Sequence, residues 1–448
     1  MQDKLPLRTH FAYGIGDFGQ NMVFQIVTIF LLPFYTDIML LAPVAAGNIF
    51  LIARFWDAIN DPLMGLLAQR TRTRWGTYRP YLLFAGIPTA IALVLLFVKP
   101  FDDPDQNFWY AFFTYLIFGM AFTALNIPYG TLSAVITDSY HERIRLNGFR
   151  MTFALAGGLA IGLFAQRVIG LSENVEQGHI WMAMAVGGIL LTGLLITFFG
   201  IKEPIREQLS HRGESFTNLL KVLRRNRPFW LMTATFGCCF IALAIFSSMI
   251  LFYFEHVQGA KDMGGTAIFW YMGGNVVSVP IWSWLAGRLG KKGVFLLGAS
   301  LSIVGFFCLY FVPSGEAGWA VACLSLHGLG NGAAAFSSWA MPADTVDYGE
   351  YKTGVRAEGV SYGVYGFFLK LGIGVGLWMS GVGLEMSGYV ANAVQSVESI
   401  EGIRLLISLA PMCFIALAMF CMLFYTISAK RHTEIQVALE EKNHHPTS

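Results

Sequence analysis

The chain has 448 residues, of which 55% are hydrophobic and only 13% charged, with a mean hydropathy of +0.56. No water-soluble domain of this size needs so much apolar surface, so the composition predicts a polytopic membrane protein. A net charge of +2 with no basic tract argues against a nucleic-acid partner.

At about 20 residues per crossing, the length accommodates roughly a dozen helices. Residues 1–10 are polar, and the apolar run that follows to about Tyr35 is too long for a signal-peptide core, so it predicts a first membrane helix. Hydropathy predicts spans near 11–35, 44–69, 80–98, 107–136, 146–169, 179–201, 229–255, 265–287, 294–312, 318–343, 358–384 and 402–427. The six cysteines all fall in apolar spans without disulfide or metal-ligand spacing and read as packing residues.

The second span carries the sharpest signal. Asp57 and Asp61 lie one helical turn apart in the run Ala53-Arg-Phe-Trp-Asp-Ala-Ile-Asn-Asp-Pro-Leu-Met-Gly65. Carboxylates are costly in lipid, and intramembrane ionisable residues are functional by default. Spacing of four puts both on one helix face, where they can converge on a single cation or proton; the alternative is a buried charge pair with Arg54. Arg150 and Lys370 also fall within apolar spans and join the candidates.

Charge in the loops orients the chain. Of the 30 Lys and Arg, Arg54, Arg150 and Lys370 lie in spans, and Lys99, Arg167, Lys261 and Arg404 lie in one set of alternate loops. The remaining 23 lie in the set holding both termini, which the positive-inside rule places in the cytoplasm. The longest of these segments divides the chain into an N-terminal six-helix half (1–201), a cytoplasmic linker (202–228), a C-terminal six-helix half (229–427) and a cytoplasmic tail (428–448). A weak repeat supports the division: Leu67-Ala-Gln-Arg70 is echoed by Leu285-Ala-Gly-Arg288, and Thr137-Asp138 by Val346-Asp347. The expected fold class is therefore an all-α membrane protein, twelve transmembrane helices in two six-helix halves with the major facilitator fold.

Several motifs in order resemble one family, the glycoside-pentoside-hexuronide cation symporters, to which melibiose and glucuronide carriers belong. They are Tyr13-Gly-Ile-Gly-Asp-Phe-Gly19, Tyr35-Thr-Asp37, Trp56-Asp-Ala-Ile-Asn-Asp-Pro62, Arg72-Thr-Arg-Trp-Gly-Thr-Tyr-Arg-Pro80, Asn126-Ile-Pro-Tyr-Gly130 and Ala343-Asp-Thr-Val-Asp-Tyr-Gly-Glu-Tyr351. The resemblance implies a secondary transporter in which Asp57 and Asp61, helped by Asn60 and Thr123, coordinate a coupling Na⁺ or H⁺. Neutral oxygens beside carboxylates suit a hard cation, although a Thr123 hydroxyl bonded to its own helix is an equal alternative. No cofactor is expected apart from this ion.

For substrate, the resemblance points to Asn21, Asn126, Arg150 and Lys370. The melibiose branch has Asp at the first two positions and Trp at Gly130, so this chain looks closer to glucuronide-type members, as does Gly388-Tyr-Val-Ala-Asn-Ala-Val-Gln395. A uronide carboxylate could meet Arg150 or Lys370; the duller reading has both pair with Asp57 or Asp61. Tyr129, Trp339 and Tyr365 are candidates for stacking on a sugar ring. Asp17 is a weaker substrate candidate, for which helix capping is nearly as good a reading. His327 reads as a hydrogen-bonded structural residue. On the cytoplasmic loops, Arg70, Arg72, Arg74 and Arg79 are expected to pair with acids such as Asp138, Glu142, Asp344, Asp347 and Glu350, as a gate that latches when the carrier faces outward.

Enzyme classes lack their signatures: the chain has no His-Glu-x-x-His, no Gly-x-Ser-x-Gly and no phosphate-binding Gly-x-x-x-x-Gly-Lys run. The expected partners are the lipid bilayer and a small sugar or glycoside, with the carrier acting as a monomer in the plasma membrane. A lysolipid carrier on the same scaffold and a non-transporting sugar sensor are the alternatives.

Overall fold

The computed structural model describes residues 5–137, 139–203 and 222–444. Most of the linker expected at 202–228, and Asp138, lie outside the described residues. The fold is a helical bundle: α1 (Leu7–Pro33), α2 (Pro43–Arg70), α3 (Arg79–Phe84), α4 (Gly86–Leu96), α5 (Pro104–Ile136), α6 (Tyr140–Ile169), α7 (Val175–Gly200), α8 (Arg227–Phe252), α9 (Met263–Tyr310), α10 (Ala317–Thr353), α11 (Glu358–Met386), α12 (Val397–Ile407), α13 (Leu409–Leu423) and α14 (Ala429–His444). Helices are the physical solution for a chain this apolar, because each satisfies its backbone polar groups within its own segment.

Starts are set locally. Proline occupies the first turn of α2, α3, α5 and α8, where its missing N–H costs nothing. Asp103, Ser139, Asn174 and Asn226 cap α5, α6, α7 and α8 through their side chains. Gly354, at φ +74°, ends α10 in the left-handed region.

Nine helical segments among the described residues are long and apolar enough to cross a membrane. α2 and α10, both expected as spans, are not among them; α2 carries Arg54, Asp57 and Asp61 in its middle. The two spans expected at 265–287 and 294–312 lie on either side of a break in α9 at Gly290, which is non-helical at φ 70°, ψ 163°, so α9 is two helices joined at that residue. The twelfth expected span is two helices that meet at Ser408, and the expected tail is helical from Ala429. α1 and α8 each finish in a π-helical turn, Phe34–Ile38 and Tyr253–Val257. These turns recur at nearly the offset that separates Leu67 from Leu285, so the weak repeat in the sequence has a structural counterpart.

Helices before and after residues 204–221 meet mainly along two seams, α2 with α11 and α6 with α9, and α1 also packs on α8. On α11, Gly381 lets the helix approach Pro43, Trp378 backs onto Gly47 and Gly374 receives the stem of Arg54, all from α2. A Cβ at Gly47 would stand 3.1 Å from the Trp378 backbone. On the second seam Gly162 of α6 lies against the backbone of Phe269 on α9, and Gln166 binds the Gly265 N–H at 2.6 Å. Small residues permit this close approach. Both seams are tightest at the end remote from the chain termini. That end is also tied by Tyr389 donating to Asp37 (2.8 Å), Asn392 donating to the Asp37 carbonyl (2.6 Å) and the Val44 N–H donating to Glu385 (3.0 Å).

Candidate functional site

The two seams bring charged side chains together in mid-bundle. α2 runs away from the far end and presents Arg54, Asp57 and Asp61 in turn; α11 runs antiparallel to it and presents Gly374 and then, one turn earlier, Lys370. Arg54 binds Asp57 at 2.9 Å and donates to the Tyr115 hydroxyl at 2.7 Å. Lys370 reaches Asp61 at 2.5 Å, and the Thr123 hydroxyl donates to the other Asp61 oxygen at 2.9 Å. The ammonium and the carboxylate thus come from opposite sides of the seam. Gly119 leaves room beside Asp57: a Cβ there would lie 3.6 Å from its Oδ1.

Two neutral groups complete the surroundings. The Asn60 amide nitrogen is buried with no hydrogen-bond partner among the described residues. Pro62 lacks the N–H that would bind the Ala58 carbonyl, so an acceptor is released from the helix ladder between the two carboxylates. Among the described residues no group of three or more His, Cys, Asp or Glu is arranged to hold a metal ion, so a cation here would be held by two carboxylates and neutral oxygens.

A second polar network lies along α1. Arg150 binds Asp17 at 2.8 Å and stands over the Tyr129 ring, and Asn126 donates to Gln20 at 3.1 Å. Asn21 projects toward Gly158, with the sulfur of Met272 alongside. Two alternative readings fall away. Arg150 pairs with Asp17 rather than with Asp57 or Asp61, because α6 packs on α1 and not on α2. Asp17 is not a cap, since it lies in the interior of α1.

The aromatic candidates separate. Tyr129 is fully buried, stacks on Tyr13 at 5.0 Å and donates to the Tyr13 carbonyl, so its ring has no face free for a sugar. Tyr365 is also buried, with its hydroxyl on the Ser338 carbonyl at 2.9 Å. Trp339 alone is open, at 57% exposure. His327 is not hydrogen-bonded through its ring among the described residues; Phe306, Tyr271 and Phe246 enclose it.

In this form, closed at the far end, none of the pairs expected to latch the outward-facing carrier is engaged among the described residues. Arg79 donates to the Phe198 and Trp75 carbonyls, while Glu203 accepts from the backbone N–H groups of Thr77, Tyr78 and Arg79. Glu142 pairs with His10 and Arg145. Asp344 pairs with Lys291 at 2.6 Å, and Asp347 and Glu350 with Arg356 at 3.0 and 2.8 Å. Burial opposes the charge on Arg356, but its bonds to Glu350, Asp347 and Glu358 outweigh that and raise its pKa. Arg70 and Arg72 have no ion pair among the described residues, and Arg74 lies over Trp75. Each of these described acids is paired with a cation from its own half of the chain.

Sequence reasoning missed Tyr115, Gln20 and the Asp37, Tyr389 and Asn392 cluster. Tyr115 and Gln20 are polar groups inside apolar runs, which was the available signal. The far-end residues fall in motifs quoted for the resemblance, Tyr35-Thr-Asp37 and Gly388 to Gln395, but nothing in the chain signals that segments about 350 positions apart meet.

A multi-pass helical bundle, sealed at one end and carrying ion pairs across its mid-plane, defines a membrane transporter of the major facilitator fold. The nucleoside transporter NupG shares that fold, with a TM-score of 0.64 at 16% identity over 93% of this chain and 100% of that one. The family model described as MFS/sugar transport protein matches residues 12–429, and the chain belongs to that family. It is 33% identical to the glucuronide carrier protein homolog of Escherichia coli (strain K12), over 99% of this chain and 97% of that protein. It is 30% identical to the isoprimeverose transporter of Lactiplantibacillus pentosus, over 99% of this chain and 93% of that protein.

Proposed function

We propose that the protein is a plasma-membrane symporter that couples Na⁺ or H⁺ at Asp57 and Asp61 to entry of a sugar or glycoside by alternating access. Twelve crossings in two halves put both termini in the cytoplasm, and the sealed far end is the outer gate. The observation that carries the reading is the Lys370–Asp61 pair, which spans the seam between the halves. In the empty carrier Lys370 occupies the carboxylate that the ion needs. Arrival of a cation at Asp57 and Asp61, with Asn60 and Thr123 supplying neutral oxygens, displaces the ammonium. Lys370 then becomes available to the substrate, so ion and substrate bind together.

Substrate groups meet Asn21, Asn126 and the Arg150–Asp17 pair from one side, and Lys370 and the open face of Trp339 from the other. Amides at 21 and 126 both donate and accept to hydroxyls and do not repel an anion. Gly130 leaves space beside Arg150, whose guanidinium nitrogen lies 3.7 Å from where a Cβ would be. Lys370, once the ion displaces it from Asp61, is a cation left without a carboxylate, which favours a glycoside bearing a carboxylate, in keeping with the glucuronide relative. With a neutral glycoside, one cation moving through 100 mV supplies about 2.3 kcal/mol, on the order of 50-fold accumulation, whereas with a singly charged anionic glycoside a one-to-one cycle carries no net charge and the ion's own concentration gradient drives it.

The test is uptake into vesicles of labelled glucuronides, pentosides and neutral glycosides under imposed Na⁺ or pH gradients. A gradient of one ion is expected to drive accumulation. Asp57→Cys and Asp61→Cys are each expected to abolish it while leaving some exchange. Full accumulation in either variant, or accumulation that ignores both gradients, overturns the assignment.

A further inference from the structure

At the end that carries the termini, the break in α9 and the start of α14 enclose a cavity of about 700 Å³ that the transport reading does not use. Gly290 forms its hinge: the helix restarts at Lys291, and a Cβ on Gly290 would lie 3.8 Å from that of Ala429. Five basic residues line the cavity, Arg288, Lys291, Lys292, Lys430 and His432, against one acid, Asp344. Lys291 already neutralises Asp344, His432 lies 3.5 Å from Asp344 and 3.1 Å from Asp347, and Lys292 donates to the Leu423 and Tyr425 carbonyls at 2.7 and 2.9 Å. Among the described residues Arg288 and Lys430 form no ion pair; Arg288 only lies over Trp284.

Two further features point to an anion. Ser428 caps α14 through Arg431, which leaves the Ala429 and Lys430 N–H groups without helical partners at the positive end of the helix dipole. Tyr425 lines the same cavity, is 3% exposed, and its hydroxyl has no hydrogen-bond partner among the described residues. A buried donor without an acceptor is costly, and a ligand oxygen would satisfy it.

We infer that this cavity binds an anionic phosphate group, carried either by the headgroup of an acidic phospholipid or by a soluble phosphate compound. The surroundings favour the lipid. Trp284, 60% exposed, and Leu289, 50% exposed, flank Arg288, which is the composition of a bilayer interface with an apolar wall for acyl chains.

Full-length protein in neutral detergent is titrated with phosphatidylglycerol, phosphatidylcholine and inorganic phosphate, with binding read by native mass spectrometry and by the thermal unfolding midpoint. Phosphatidylglycerol is expected to bind and raise the midpoint where phosphatidylcholine does not. The Arg288→Gln, Lys430→Gln double variant should weaken binding by about tenfold or more, and Tyr425→Phe by less. Lys99→Gln, at the opposite end, should bind as the parent does. A response to inorganic phosphate that the double variant loses assigns the site to a soluble ligand. Should the double variant misfold, Lys430→Gln alone, on an exposed helix, serves in its place. Equal response to the two lipids with none to phosphate, or undiminished affinity in the variants, overturns the proposal.

Discussion

At the residue scale, the molecule turns on how Asp57 and Asp61 are occupied. Arg54 is held at its tip by Asp57 and Tyr115 and along its stem by Gly374, so it is a fixed partner. Lys370 is a third exposed and has Asp61 as its single partner among the described residues, so it can leave. Lys370→Met is therefore expected to abolish coupled accumulation. It should also lower stability by roughly 1–3 kcal/mol, because a partly buried carboxylate keeps only the Thr123 hydroxyl. Vesicle uptake and denaturant or thermal unfolding check the two parts. Retained accumulation in Lys370→Met would show that the lysine is merely a brace. Thr123→Val should be milder, lowering ion affinity about three- to tenfold through loss of one neutral oxygen and one hydrogen bond, as read from the ion dependence of uptake.

At the element scale, glycines set the approach of the helices. Where α6 crosses α9, Gly162 touches the Phe269 backbone, and no flexible side chain is there to give way. Gly162→Val must push the helices apart at the sealed end. It is expected to destabilise the sealed form by about 1–3 kcal/mol and to lower uptake, with faster hydrogen exchange at 262–272 as the specific readout. Unchanged exchange there would mean that the seam absorbs the methyl groups. Gly188, with nothing within 4 Å of an added Cβ, is the control: Gly188→Ala should leave both exchange and uptake as they are.

At the scale of the whole molecule, the sealed end is closed by few polar ties and the opposite end has none across the halves among the charged residues described. Tyr389→Phe with Asn392→Ala removes two bonds to Asp37 and should cost the sealed state about 1–2 kcal/mol. That shifts the balance between the two states about five- to thirtyfold toward the form open at the far end. Increased hydrogen exchange at 34–41, with the mid-bundle ion dependence unaltered, is the expected pattern. An unchanged balance would place the seal in helix packing alone.

Much of this was legible beforehand. The helices, the charged stretch of α2 and the transporter class were readable because lipid admits few charges, and those it admits stand out in a one-dimensional hydropathy trace. Partner choice was not readable. Arg150 takes Asp17, Lys370 takes Asp61, Tyr129 is closed off by Tyr13, and the loop acids bind cations in their own half. Each outcome depends on which helices lie side by side and at what height, and residues as distant as Asp37 and Asn392 acquire neighbours only when the seams close. The sequence alone determined that charge is kept inside this membrane protein; the tertiary structure decided which opposite charge meets it, because ion pairs form over a few ångströms and only packing sets those distances.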